Sequence, residues 1–139
     1  MELSRPGAIE ALALSSEEHA TLAATLLRTL PIKDFTDHQQ LWSERKKWFF
    51  KTEHSFGGKA AYRGSSIARP VFAQILAGPY LAQEYVPAPA VKVGSEEFKY
   101  DLRFFVYRDR IQLACARLYK GQMTNSQTPG GGIAAIDWI

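Results

Sequence analysis

Residues 98–119 read FKYDLRFFVYRDRIQLACARLY, and this stretch decides the predicted fold. Two runs rich in apolar and aromatic residues, 98–107 and 111–119, flank a polar Arg-Asp-Arg connection at 108–110. Such runs are typical of strands, and a short polar connection between two of them predicts an antiparallel hairpin. With helical patterns elsewhere in the chain, the hairpin indicates an α+β fold whose sheet is mostly antiparallel.

One face of the first strand carries an ordered row of charges. Lys99, Asp101 and Arg103 alternate with Tyr100 and Leu102, so the three charged side chains project from the same face. A cation, a carboxylate and a cation in a row can hold phosphate oxygens at two points, with a metal ion or a hydroxyl between them. A half-buried strand with a solvated face would show the same alternation, and this simpler interpretation stays open.

Arg117 joins the charged row in only one hairpin register. If the turn is a three-residue loop at 108–110, Asp101 faces Arg117, and Arg110 takes a left-handed position that usually holds glycine. On that basis, Arg110→Gly is predicted to stabilise the hairpin. A two-residue turn would instead place Arg117 on the opposite face, because a one-residue shift reverses every side chain. The sequence leaves both registers open.

The chain before the hairpin divides into a helical segment, 1–47, and the beginning of a second domain, 48–139. A capping box at Ser15 and Glu18 predicts a helix that continues to Leu30, and a second helix is expected to begin after Asp37. The order of the following elements is strand, glycine loop, strand, helix and strand. Their predicted ranges are 48–51, 52–58, 59–63, 69–77 and 80–86.

Two glycine-rich stretches have the composition of ligand-binding loops. Lys51 precedes Gly57-Gly58-Lys59, where glycine lets backbone amides approach phosphate oxygens and lysine supplies a point charge. This stretch does not fit the Walker pattern, and a plain hairpin turn is the alternative. Residues 124–132, TNSQTPGGG, predict a loop that closes on a ligand, with a flexible connector as the alternative.

Composition excludes several classes of protein. The chain has 139 residues, 46% of them hydrophobic, and its lone Cys115 excludes a disulfide framework and a cysteine zinc cluster. No apolar run approaches the roughly 18 residues of a membrane span, and no signal pattern opens the chain, so we expect a cytoplasmic protein without a membrane partner. Residues 46–139 hold thirteen Lys or Arg against seven Asp or Glu, which favours binding of a polyanion there; a solvated basic face is the alternative.

Taken in order, five segments resemble the ATP-grasp superfamily, and most closely its glutathionylspermidine-synthase-like and circularly permuted members, with a local similarity to tubulin–tyrosine ligase. The resemblance extends over roughly 48–133. The segments that carry it are 49–51 together with 57–59, then 83–87, 99–107, 117–119 and 124–132. An ATP-grasp-like domain with a helical N-terminal segment is the fold that the resemblance implies.

The resemblance implies ATP and Mg²⁺ as cofactors and assigns roles to particular residues. Lys51 would contact the α- and β-phosphates, and the loop with Ser55, Gly57, Gly58 and Lys59 would cover them. Backbone groups of Gln83, Glu84, Tyr85 and Val86 would bind the adenine edge. Lys99 and Asp101 would face the triphosphate, Arg103 and Arg117 would be the catalytic cations, and Asp101 and Asn125 would contact magnesium.

The function that the resemblance implies is ATP-dependent joining of a carboxylate to an amine through an acyl phosphate. Members of the superfamily usually carry an acidic residue two positions before the asparagine, where this chain has Met123. The chain also lacks most of an acceptor-binding lobe, so an incomplete ligase is one interpretation. A nucleotide-binding or interaction module without catalysis is a second, and a basic nucleic-acid-binding domain, with no recognised motif, is a third.

Overall fold

A computed structural model describes residues 7–54, 60–122, 124–125 and 128–136. These residues confirm the α+β class, with three α-helices and eight strands in two antiparallel sheets. The chain divides into two compact units, of which the first ends at Tyr85 and the second begins at Val86. The predicted boundary between residues 47 and 48 falls inside the first unit. None of the described helices is long and apolar enough to span a membrane.

The first unit combines three helices with a four-stranded sheet in the order β1-β4-β2-β3. Its helices are α1 (Ser16–Thr25), α2 (His38–Ser43) and α3 (Arg69–Ala77), and its strands are β1 (Thr29–Pro31), β2 (Trp48–Thr52), β3 (Ala61–Arg63) and β4 (Tyr80–Glu84). Short 3₁₀ turns lie at Ile32–Asp34, Arg45–Lys47 and Gly64–Ser66.

Helix starts follow the predicted capping signals, but the end of α1 does not. The Ser15 hydroxyl accepts a hydrogen bond from the Glu18 amide at 3.3 Å, and Asp37 accepts one from the Gln40 amide at 2.8 Å. The prediction that α1 continues to Leu30 is wrong, since residues 29–31 pair with β4. Pairing with a strand more than 50 residues away overrides the local helical spacing.

The core of the first unit lies on one face of its sheet. Phe50 and Ile75 are fully buried there, and Trp48 lies two residues before Phe50 on the same face of β2. The alternation of the strand therefore places Phe49 and Lys51 on the opposite face, away from this core. The remaining members of the buried cluster are Ile32, Leu41, Ile67, Phe72 and Ala82.

The second unit is an antiparallel meander of four strands in chain order. They are β5 (Ala90–Val93), β6 (Glu96–Tyr107), β7 (Arg110–Tyr119) and β8 (Gly132–Ala135), and β6 with β7 confirms the predicted hairpin. β8 was not predicted. A Cβ atom on Gly131 would lie 2.5 Å from the Leu118 carbonyl oxygen, so glycine at this position serves close packing beside β7.

Of the two turns that the sequence left open, the structure has the two-residue turn, but with the pairing of Asp101 and Arg117 that was expected only for the three-residue loop. Tyr107 pairs with Arg110, and both residues between them have positive φ (Arg108 47°, Asp109 59°), as in a type I′ turn. The register then shifts between Phe105 and Val106, where β7 contains one extra residue. This bulge restores the pairing of Asp101 with Arg117. A two-residue turn thus leaves Arg117 on the predicted face.

We expect replacement of the turn pair, Arg108→Asn with Asp109→Gly, to stabilise the hairpin by about 0.5–1 kcal/mol, because Asn-Gly suits positive φ at both positions. Urea unfolding gives the free energy of unfolding of the second unit, and its difference from the parent measures the change. Arg110 lies in β7 rather than in the turn, so Arg110→Gly serves as the control and should destabilise. Stabilisation by Arg110→Gly would contradict the two-residue turn.

Candidate functional site

Lys51 is held by side chains from two neighbouring strands. Strand pairing places Thr29, Lys51 and Gln83 on the face of the first sheet that is opposite the core. The Lys51 Nζ donates to Gln83 Oε1 at 3.0 Å, and the Gln83 Nε2 donates to Thr29 Oγ1 at 3.0 Å. Lys51 and Gln83 are half-buried and Thr29 is buried. The lysine is therefore a fixed cation.

Arg63 adds a second cation to this face, and sequence reasoning missed it. Arg63 pairs with Phe49 across β3 and β2, which places it on the side of Lys51. Its guanidinium carbon lies 4.4 Å from the centre of the Tyr85 ring, within the range of a cation–π contact. The only signal for it in the sequence was its place in the predicted returning strand.

In the segment predicted to bind adenine, residues 83–86, two backbone amides already make hydrogen bonds within the first unit. Gln83 and Glu84 end β4, the Glu84 amide donates to Arg28 O at 2.8 Å, and the Tyr85 amide donates to Lys47 O at 2.8 Å. An adenine edge bound by this segment would thus use backbone groups other than these two amides. The Gln83 side chain is occupied by Lys51, and Val86 is 57% exposed.

In the second unit, Asp101 and Arg117 form a bidentate ion pair across β6 and β7. Arg117 Nε donates to Asp101 Oδ1 at 2.6 Å and Arg117 Nη2 to Oδ2 at 2.9 Å, while Thr124 Oγ1 donates to Oδ2 at 2.7 Å. Planar pairing of this kind fixes the guanidinium in direction as well as in position. Of the two faces that the sequence left open for Arg117, the structure has the one beside Asp101.

The hydrogen bonds decide the charge of this pair. Burial raises the pKa of Asp101, but hydrogen bonds from Arg117 and Thr124 and the positive charges of Arg117 and Arg103 outweigh it, and the net pKa is lowered. The hydrogen bond to Asp101 raises the pKa of Arg117 against the effect of burial. Both side chains are therefore charged at neutral pH.

The other predicted residues of the second unit differ in their surroundings. Lys99 Nζ donates to the Gly121 carbonyl oxygen, which ties the strand to the segment after β7. Arg103 lies opposite Cys115 and is exposed, and its side chain makes no hydrogen bond to the described residues. Arg103 is thus the member of the charged row that is most open to a ligand.

A small cavity of about 110 Å³ lies beside the ion pair. Arg117, Thr124 and Asn125 line this cavity. The structure therefore brings two predicted site residues, Arg117 and Asn125, close to each other. The other lining residues are Leu118, Gly132 and Ile133. Guanidinium and side-chain amide groups hydrogen-bond to oxyanions, whereas the Thr124 hydroxyl gives its one proton to Asp101.

The site at Asp101 and Asn125 offers few protein ligands for magnesium. The two carboxylate oxygens of Asp101 offer about four lone pairs, and three of them accept hydrogen bonds from Arg117 and Thr124. No cluster of three or more His, Cys, Asp or Glu side chains that could hold a metal occurs within the described ranges. One lone pair of Asp101 is left by the hydrogen bonds of the described residues, so a magnesium ion beside Asp101 and Asn125 would take most of its ligands from substrate phosphates and water.

Four residues predicted to cover the phosphates, Ser55, Gly57, Gly58 and Lys59, lie outside the described residues, as does Met123. In comparisons with known proteins, no family model matches this chain, and no curated protein and no solved structure gives a significant match. The function proposed next therefore rests on the resemblance of the sequence motifs and on the geometry of the described residues.

Proposed function

We propose that this chain is the ATP-binding part of an ATP-grasp carboxylate–amine ligase that acts through an acyl phosphate. The observation that carries the proposal is the cavity at Arg117, where a guanidinium fixed by Asp101 lies beside Thr124 and Asn125. Asp101 takes two of the five N–H donors of the guanidinium, and the other N–H groups suit a phosphoryl oxygen. The cytoplasm is the compartment that we propose, from the single buried Cys115.

The proposed reaction has two steps. A substrate carboxylate attacks the γ-phosphorus of ATP, and ADP leaves as the acyl phosphate forms. An amine then attacks the acyl carbon, phosphate leaves, and an amide remains after the amine loses a proton. In both steps the protein's part is positioning and neutralisation of negative charge, which requires cations rather than a covalent nucleophile.

The described residues take the following parts in this proposal. By the resemblance, Lys51 would contact the α- and β-phosphates, and Arg103 and Arg117 would neutralise the charge on the transferred phosphoryl group. Asn125 and Asp101 would contact a magnesium ion bound with the triphosphate, which would neutralise part of the phosphate charge. Asp101 serves chiefly to orient Arg117, because that pair already occupies most of its carboxylate.

We expect Lys51→Ala to weaken Mg-ATP binding about 10- to 100-fold, since it removes a charged hydrogen-bond donor. Arg103→Ala should have an effect of the same order. Isothermal titration measures both, and Lys46→Ala, which removes an exposed lysine outside the sheet, is the matched control and should bind like the parent. An unchanged affinity in either site variant would refute the role given to that residue.

Trapping of the acyl phosphate tests for ligase chemistry. With Mg-ATP, a panel of carboxylates and hydroxylamine as the amine, a ligase forms a hydroxamate and releases ADP in equal amounts. Binding of ATP without ADP release for any carboxylate would instead favour the alternative, a nucleotide-binding or interaction module without catalysis. The observation behind that alternative is the scarcity of magnesium ligands among the described residues.

A nucleic-acid-binding role is the weaker alternative, and salt dependence separates it from the proposal. A protein that neutralises many phosphates loses affinity log-linearly with salt concentration. Binding of one nucleotide depends instead on particular residues such as Lys51 and Arg103. We therefore expect no nucleic-acid partner and no membrane partner; the partners proposed are ATP and a carboxylate with an amine.

A further inference from the structure

A line of three hydrogen bonds begins at a backbone carbonyl and ends at the Lys51 ammonium. Thr29 Oγ1 donates to Leu27 O at 3.1 Å and accepts from Gln83 Nε2 at 3.0 Å, and Gln83 Oε1 accepts from Lys51 Nζ at 3.0 Å. All of these residues belong to the first unit. We call this line the Thr29–Gln83–Lys51 chain.

Proton counting fixes the direction of every bond in it. A carbonyl can only accept, so the single hydroxyl proton of Thr29 goes to Leu27 O. The Thr29 oxygen is then left as an acceptor, which selects the amide nitrogen of Gln83 as its donor. The Gln83 oxygen must therefore face Lys51, and an ammonium, which only donates, suits it. A flipped Gln83 amide would set two donors against each other.

Burial stabilises this orientation of the Gln83 side-chain amide. Thr29 is 6% exposed, and Gln83 and Lys51 are half-buried, so water competes weakly for the bonds. Of the three ammonium protons, Gln83 takes one, and no other side chain in the described part of the chain takes the remaining two. The chain thus holds the ammonium in place while it leaves donors available.

We propose that Thr29 is a positioning residue for the phosphate-binding lysine, and that it acts on Lys51 through Gln83. The inference rests on the proposed function, because it assumes that Lys51 contacts ATP phosphates. It adds a role for β1, the strand that the N-terminal segment contributes to the sheet. Thr29 orients Gln83, and Gln83 holds the ammonium where the phosphates bind.

Paired threonine variants test the proposal. Thr29→Val keeps the shape of the side chain but removes both the donor and the acceptor, whereas Thr29→Ser keeps the hydroxyl. We expect Thr29→Val to weaken ATP binding about 3- to 10-fold, the range of one uncharged hydrogen bond, and Thr29→Ser to restore it. Adenosine, which has no phosphates, should bind equally to all three proteins. A general structural defect would weaken the binding of both ATP and adenosine.

A second variant and a double mutant complete the test. Gln83→Met removes the acceptor for Lys51 and also the donor to Thr29, whose hydroxyl stays in place, and it should weaken ATP binding at least as much as Thr29→Val. In a Lys51→Ala background, Thr29→Val should have no further effect on ATP affinity. Equal ATP affinity of the parent and Thr29→Val would overturn the proposal, and so would additive effects of Thr29→Val and Lys51→Ala.

A measurement without nucleotide separates this proposal from the proposed function. The side-chain amide resonances of Gln83 should shift in both Thr29→Val and Lys51→Ala, since each variant removes one of its partners. If they shift but the parent does not bind ATP, the hydrogen-bonded chain stands and the proposed function fails. If the parent binds ATP but the resonances stay unchanged, the positioning role fails.

Discussion

Gly64→Ala should destabilise the first unit by about 4 kcal/mol or more, which approaches the whole stability of a small domain. Gly64 is buried between the 3₁₀ turn at Arg45–Lys47 and the start of β2. A Cβ atom there would lie 1.8 Å from the Arg45 carbonyl oxygen and 2.8 Å from that of Trp48. Both neighbours are backbone atoms, so the clash can be relieved only by moving the segment around Gly64 away from residues 45–48.

Denaturant unfolding followed by circular dichroism measures this effect. Gly94→Ala is the matched control, because nothing lies within 4 Å of its added Cβ and only its positive φ of 62° is strained. We expect the control to cost about 1–2 kcal/mol. A midpoint for Gly64→Ala equal to that of the parent would contradict the close approach of these two segments.

Phe50→Ala is the second change with a large expected effect, a loss of about 3–5 kcal/mol. Phe50 is fully buried, and its ring lies 6.2 Å from that of Phe72 in an edge-to-face arrangement. It is also central in the sheet, where its strand pairs with β3 on one side and β4 on the other. Truncation therefore leaves a cavity that neither helix nor sheet can readily fill.

Phe49→Ala provides the control, since it makes the same chemical change one residue away on the opposite face. Phe49 is half-buried, and we expect less than half the loss found for Phe50→Ala. Thermal and urea unfolding of the two variants can be compared directly because they share a strand. A greater loss for Phe49→Ala would mean that the core and open faces of the sheet are assigned the wrong way round.

Sequence reasoning succeeded where short-range chemistry decides the structure. The start of α1 follows from Ser15 and Glu18, which satisfy each other's backbone amide within one turn. The helix 69–77 and the hairpin strands follow from local spacing of apolar residues and from Gly78-Pro79. In each case the residues that carry the signal are also the residues that make the contacts.

Sequence reasoning failed where the structure of a segment depends on a partner that is distant along the chain. Leu30 fits a helical pattern, yet it pairs with Ala82 in β4, and no local feature records that partner. The bulge in β7 likewise has no compositional signal, although it alone reconciles a two-residue turn with the pairing of Asp101 and Arg117. Alternative registers of a strand differ in tertiary packing rather than in local propensity.

The candidate site shows the same division. The alternation of Lys99, Asp101 and Arg103 was sufficient to place these residues on one face of β6. The hydrogen bonds of Thr29 and Thr124 were not visible in the sequence, because their partners lie 54 and 23 residues away. A threonine in a strand or loop has many ordinary uses, and only the folded chain shows which one applies.

Titration of Mg-ATP into the purified chain is the measurement on which the proposed nucleotide site depends. We expect saturable binding of one ATP per chain, with a rise in the melting temperature at saturating nucleotide. Absence of both binding heat and thermal stabilisation at millimolar Mg-ATP, in a chain shown to be folded, would contradict the proposed site.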